Sequence, residues 1–103
     1  MPVSMQVVYP IGDDTHFDYD YYLSTHMELV GKHFGPHMKS AQATKGLAGG
    51  PDVPPPFYAI ATLVFEDQDA MNAAMKNGAP VIGDIPNFTN VQPQMLIGEV
   101  VAG

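Results

Sequence analysis

"FYAIATLVFED", residues 57–67, decides the fold. Its odd positions, Phe57, Ala59, Ala61, Leu63 and Phe65, form one wholly apolar face. Its even positions, Tyr58, Ile60, Thr62, Val64 and Glu66, form a second face that is mixed but still greasy. Alternation with a period of two over such a length is the pattern of a β-strand. Upstream, "GGPDVPPP" (49–56) is a stiff loop, because proline fixes φ and supplies no backbone donor. Downstream, Asp67 is placed to cap "QDAMNAAMKNG", a short helix with Ala70, Met71, Ala74 and Met75 turned inward.

The same reading extends outward to both ends. "VSMQVVY" (3–9) puts Val3, Met5, Val7 and Tyr9 on one face, which predicts a first strand. "PIGDD" (10–14) is a turn, with Asp13 or Asp14 expected to cap a helix running from about Thr15 to Phe34. "FGPH" ends that helix, with Gly35 as its C-cap and Pro36 just beyond. "MKSAQATKGLAGG" reads as a more polar strand, and "APVIGDIPNF" carries a further helical turn with Pro80 at its start. "VQPQMLIGEVVA" is a last strand, interrupted at Pro93, which argues for an edge position or a bulge there.

The order β-α-β-β-α-β predicts an α+β, ferredoxin-like fold in one domain, residues 1–103, with a four-stranded antiparallel sheet and helices on one face. The opposite face would carry Val8, Tyr58, Ile60, Val64, Leu96 and Val100, too apolar to be left in water. No further helix is available to cover it, so a second copy is expected there, making a homodimer with two-fold symmetry.

Composition excludes several classes of function. A charge of −7, four lysines and no arginine give no basic stripe for nucleic acid. Without cysteine there are no disulfides, thiolate metal sites or thiol nucleophiles. No apolar run is long enough to span a bilayer, and the first residues lack a basic and apolar leader, so a cytoplasmic protein is expected. "GLAGGPD" (46–52) follows a strand without opening a helix and is no phosphate cradle. His33 and His37 have the spacing of a two-histidine metal face, but Gly35-Pro36 between them should break the helix. No metal and no cofactor are therefore expected. The cluster Asp13, Asp14, Asp18 and Asp20 is accounted for by the dipole of the helix it precedes.

One residue stands out in the first helix. At 100° per residue, Tyr19, Tyr22, Leu23, His26, Val30 and His33 form a stripe facing the sheet, with Phe34 at its edge. A buried imidazole needs partners and stays neutral at pH 7, which equips it as a proton acceptor. A histidine in such a stripe is more often a satisfied core residue. Its company, Tyr22 one turn away and Tyr9 on the apolar face of the first strand, points instead to a small-ligand pocket between helix and sheet.

The segments "VVYP", "FDYDYYLSTHMELV", "PPPFYAIATLVFED", "NF" at 87–88 and "LIGEVV" together resemble the EthD family of the dimeric α+β barrel superfamily. The family's paired aromatics, histidine and leucine fall on Tyr21, Tyr22, His26 and Leu29. The resemblance implies two sheets closing into a barrel with helices outside and a pocket in each subunit. Superfamily relatives include cofactor-free monooxygenases, muconolactone isomerase and haem-handling enzymes; a chain with so few cations lacks the partners that haem propionates need. Met27 and Glu28 depart from the family's usual small residue and proline, and "IGDDTH" is unusually acidic and adds His16.

These readings converge on a homodimeric enzyme acting on a hydrophobic, oxygenated or aromatic molecule, with His26 and Tyr22 as catalytic residues. Tyr9, Tyr21, Val30, His33, Phe65 and Phe88 are the expected binding set. Oxidation without a cofactor or isomerisation is the reaction type implied by analogy of fold. The alternatives are a non-catalytic binder or accessory protein of a catabolic pathway, which would tolerate a sealed His26, and an assembly module with no pocket.

Overall fold

The computed structural model describes residues 1–103. The strands are β1 (Val3–Pro10), β2 (Met38–Lys45), β3 (Phe57–Phe65) and β4 (Gln94–Glu99). They form one antiparallel sheet in the order β2-β3-β1-β4. Between β1 and β2 lie α1 (Tyr19–Tyr21), a π turn (Tyr22–His26), α2 (Met27–Phe34) and a 3₁₀ turn (Gly35–His37). Between β3 and β4 lie α3 (Gln68–Met75), α4 (Ala79–Asp84) and a second 3₁₀ turn (Ile85–Asn87). The expected ferredoxin-like arrangement is the one present. No helix is long and apolar enough to cross a membrane.

The register aligns Met5 with Leu63, Val7 with Ala61 and Tyr9 with Ala59, which brings the odd residues of β1 and β3 onto the helix side. Met5, Tyr9, Ala59, Ala61, Leu63 and Phe65 are all buried there. Asp67 caps α3 by accepting a hydrogen bond from the Ala70 amide at 2.9 Å, and Met71 and Ala74 turn inward. On the other face Val8, Tyr58, Ile60 and Val64 are only half covered, and Leu96 is exposed.

Three local expectations need correction. The first helix starts at Tyr19, not Thr15, because the chain before it is pinned in an extended course against residues 88–90. Phe17 bridges to Thr89, the Asp18 amide donates to the Phe88 carbonyl, and Asn90 accepts from the His16 amide. Its cap is accordingly Asp18, whose carboxylate accepts from the Tyr21 amide, while Asp14 takes a left-handed turn with φ 59°. Leu23 leaves the buried stripe and is 60 % exposed. The wide turn, in which the Met27 amide donates to the Tyr22 carbonyl five residues back, rotates it outward and keeps Tyr22, His26, Val30 and Phe34 in line. Finally, Pro93 does not interrupt β4. The strand begins after it, on the sheet edge, where a missing donor costs no ladder bond.

Candidate functional site

Two short helical segments from opposite halves of the chain meet above β1. The π turn delivers Tyr22 and His26, whose rings stack with centroids 5.6 Å apart and planes 16° apart. The second segment, α4 and its 3₁₀ turn, delivers Asp84, Asn87 and, just beyond, Phe88, whose ring lies 4.6 Å from the imidazole of His26. His26 Nδ1 lies 3.0 Å from Asp84 Oδ2, with both side chains buried. The other carboxylate oxygen, Asp84 Oδ1, accepts from the Tyr21 hydroxyl at 2.7 Å and from Asn87 Nδ2 at 3.0 Å.

Burial disfavours charge on Asp84, but its three donors, Asn87, Tyr21 and His26, outweigh that and hold its carboxyl below the ordinary carboxylate range. An ionised carboxylate can only accept, so Nδ1 of His26 carries the proton and Nε2 is left with its lone pair. Burial lowers the imidazole pKa, and the hydrogen bond and charge of Asp84 only partly restore it, so the ring is neutral. Nε2 has no hydrogen-bond partner in the chain, yet it is not a sealed atom, since His26 lines a cavity.

That cavity, about 210 Å³, lies between the sheet and α2 and α4. Ala61, a small residue at the centre of β3, forms part of its floor, while Val30 and Met27 of α2, Val81 of α4 and Met95 of β4 form walls. Tyr9 and Tyr22 also line it. The Tyr22 hydroxyl is fully buried and has no hydrogen-bond partner. Burial raises its pKa to about 12, so it stays a protonated donor. Tyr9 is shifted the same way, by burial and by its neighbour Tyr22.

Of the residues expected from sequence, His26, Tyr22, Tyr9 and Val30 meet at this cavity. Tyr21 and Phe88 stand one layer behind, the first bonded to Asp84 and the second packed on His26. Phe65 is fully buried in the aliphatic core and His33 is half-buried on α2; neither is on the cavity wall. No three histidine or acidic side chains gather to ligating distance.

Asp84 and Asn87 were not anticipated. The signal was present in "VIGDIPNF": Val81, Asp84, Ile85 and Phe88 fall at helical spacing, so an acid sits in an apolar stripe. A carboxylate is seldom buried without a partner, and the histidine stripe of the first helix was the available one.

The EthD domain model matches residues 13–92, which include Tyr21, Tyr22, His26, Asp84, Asn87 and Phe88 but not Tyr9 or Met95. An EthD-like protein of Ralstonia eutropha is 34 % identical, with a TM-score of 0.88 over 98 % of this chain and 93 % of that one. An ethyl tert-butyl ether (EthD) family protein of Bacillus halodurans is 23 % identical, with a TM-score of 0.76 over 96 % and 98 %. SnoaB, a cofactor-independent oxygenase of Streptomyces nogalater, shares the fold at 10 % identity, with a TM-score of 0.70 over 99 % and 95 %. Among curated proteins, no sequence matches. With a family model spanning most of its length and a relative one third identical, the chain belongs to the EthD family.

Proposed function

We propose that this protein is a small-molecule enzyme in which His26 takes a proton from a hydrophobic ligand held in the cavity. The observation that carries the proposal is the His26–Asp84 pair at the cavity wall. Asp84 fixes the tautomer, so that Nε2 offers a lone pair to the ligand, and it offsets the charge of the imidazolium once the proton is taken. The Tyr22 hydroxyl, a protonated donor without a partner, stabilises the negative charge that develops on a ligand oxygen. Isomerisation returns the proton to a second atom of the ligand; oxidation by dioxygen would start from the same anion. The proton transfer itself uses only His26, Asp84 and Tyr22, whereas the oxidative branch consumes dioxygen as its electron acceptor.

We further read the half-covered sheet face, Val8, Tyr58, Ile60, Val64 and Leu96, as the contact with a second copy that closes the barrel. Sedimentation should give twice the mass of one chain, and a monomer at micromolar concentration would end that part of the proposal.

The deciding experiment follows the His26 imidazole by NMR while small aromatic ligands are added. The expected result is a ring in the Nδ1–H form whose Nε2 signal moves on binding and whose replacement by Gln abolishes turnover. A ring that answers no ligand while other residues shift would reduce His26 to a packed core residue.

A further inference from the structure

The cavity wall restricts what can enter it. None of the four lysines lines it, and the chain has no arginine. His26 is neutral, and directly behind it stands the carboxylate of Asp84. A carboxylate or phosphate moving in would give up its hydration, meet no cation and face that negative charge. Two polar atoms are nevertheless unmatched. Nε2 of His26 is an acceptor without a donor, and the buried Tyr22 hydroxyl is a donor without an acceptor. They belong to stacked neighbouring rings, and both residues line the cavity. As for size, an apolar cavity of about 150 Å³ accommodates benzene, and this one is about 210 Å³.

We infer that the cavity takes an uncharged compound of one or two fused rings that brings a hydroxyl hydrogen to His26 Nε2 and a carbonyl or ether oxygen to the Tyr22 hydroxyl, and that it turns anions away. The inference rests on the cavity being the ligand site proposed above, and it holds whether or not turnover follows. Uncharged ligands without an O–H leave Nε2 dry and unpaired. Charged ones of the same shape fail on desolvation, however well the rings fit.

The test uses the full-length protein and three two-ring probes: 5-hydroxy-1-tetralone, 1-tetralone and 1-naphthoate. Affinity is read by calorimetry and location by the His26 NMR signals. The hydroxytetralone should bind tightest. Tetralone, lacking the donor, should bind about 5- to 10-fold more weakly, the worth of one hydrogen bond. Naphthoate should be weaker by at least about 100-fold. Tyr22→Phe, which keeps the ring and therefore the fold, should weaken hydroxytetralone by about 5- to 10-fold.

Naphthoate that binds as well as hydroxytetralone and moves His26 would overturn the exclusion of anions while leaving the cavity a ligand site. Equal affinities for the two tetralones, or no effect of Tyr22→Phe, would overturn the pairing of polar groups. If no probe moves His26 at millimolar concentration, both the inference and the site it rests on fall.

Discussion

Below α2 and α3, Met5, Phe34, Leu63, Phe65, Met71 and Ala74 pack with no side-chain N or O atom among them. Below the π turn, Tyr9 and Phe17 pack edge to face on Tyr22 and Phe88, His26 stacks on Tyr22 and tilts against Phe88, and this aromatic end also buries a carboxylate and an unpaired hydroxyl. Both ends sit on the same two central strands and both line the cavity, Met5, Phe34 and Leu63 from one and Tyr9, Tyr22 and His26 from the other. What differs is how far their side chains are satisfied by one another. The aliphatic end is complete and stabilises the fold. The aromatic end keeps unmet hydrogen-bonding capacity, a cost that an apolar core of the same shape would not carry.

If that division is right, truncation at the aliphatic end should have the largest effect on stability and none on the chemistry. Phe65 is fully buried, and Phe65→Ala should cost about 3–5 kcal/mol in chemical denaturation. The folded fraction should keep the His26 tautomer and ligand response of the parent. A folded variant in which His26 has lost that tautomer would mean the two ends are one unit.

Next in size is Asp84→Ala. It strips the acceptor from Nδ1–H of His26 and from the Tyr21 hydroxyl, and should cost about 1–3 kcal/mol. Asp84→Asn sharpens the result, because the amide keeps the shape but can donate to Nδ1. The proton would then move to Nε2, and the ¹⁵N shifts of the ring should show the exchange. An unchanged tautomer would remove Asp84 from the role assigned to it.

How much of this was legible in the sequence follows the same division. The aliphatic end is written in periodicity: the alternation of 57–65 and the spacing of Ala70, Met71 and Ala74 are local, and local patterns fix both faces. His26 was legible as well, since its stripe is local to one helix. Its partner was not, because the bond between His26 and Asp84 spans 58 residues and depends on how α4 docks. Nor does a hydropathy pattern announce a π turn. The wide turn at 22–26 moved Leu23 out of the stripe that an ideal 3.6-residue period assigns to it.

Tyr22→Phe should act with the opposite sign. Removing a buried hydroxyl that has no partner relieves a desolvation cost, so the variant should be more stable by about 1 kcal/mol. It should bind ligand less well at the same time. A loss of stability would show that the hydroxyl is already satisfied in the free protein and that the aromatic end is as complete as the aliphatic one.

The smallest effect expected is a slope of stability with pH, and it too separates the two ends. The aliphatic end holds no titratable group, so any slope contributed by the core comes from the aromatic end. The fold lowers the pKa of His26 through burial, against the pull of Asp84, so below the ordinary histidine value of about 6.5 the unfolded chain binds more protons than the folded one. Stability is therefore full above that value and declines as the pH falls through it toward the folded pKa. Asp84, also lowered, contributes above its ordinary value and is lost only at a lower pH, so the two losses follow in sequence. Urea midpoints between pH 7.5 and 5 should fall in the parent and flatten in His26→Gln. An unaltered slope in that variant would move the titrating group elsewhere, and with it the claim that the aromatic end keeps a neutral, available base.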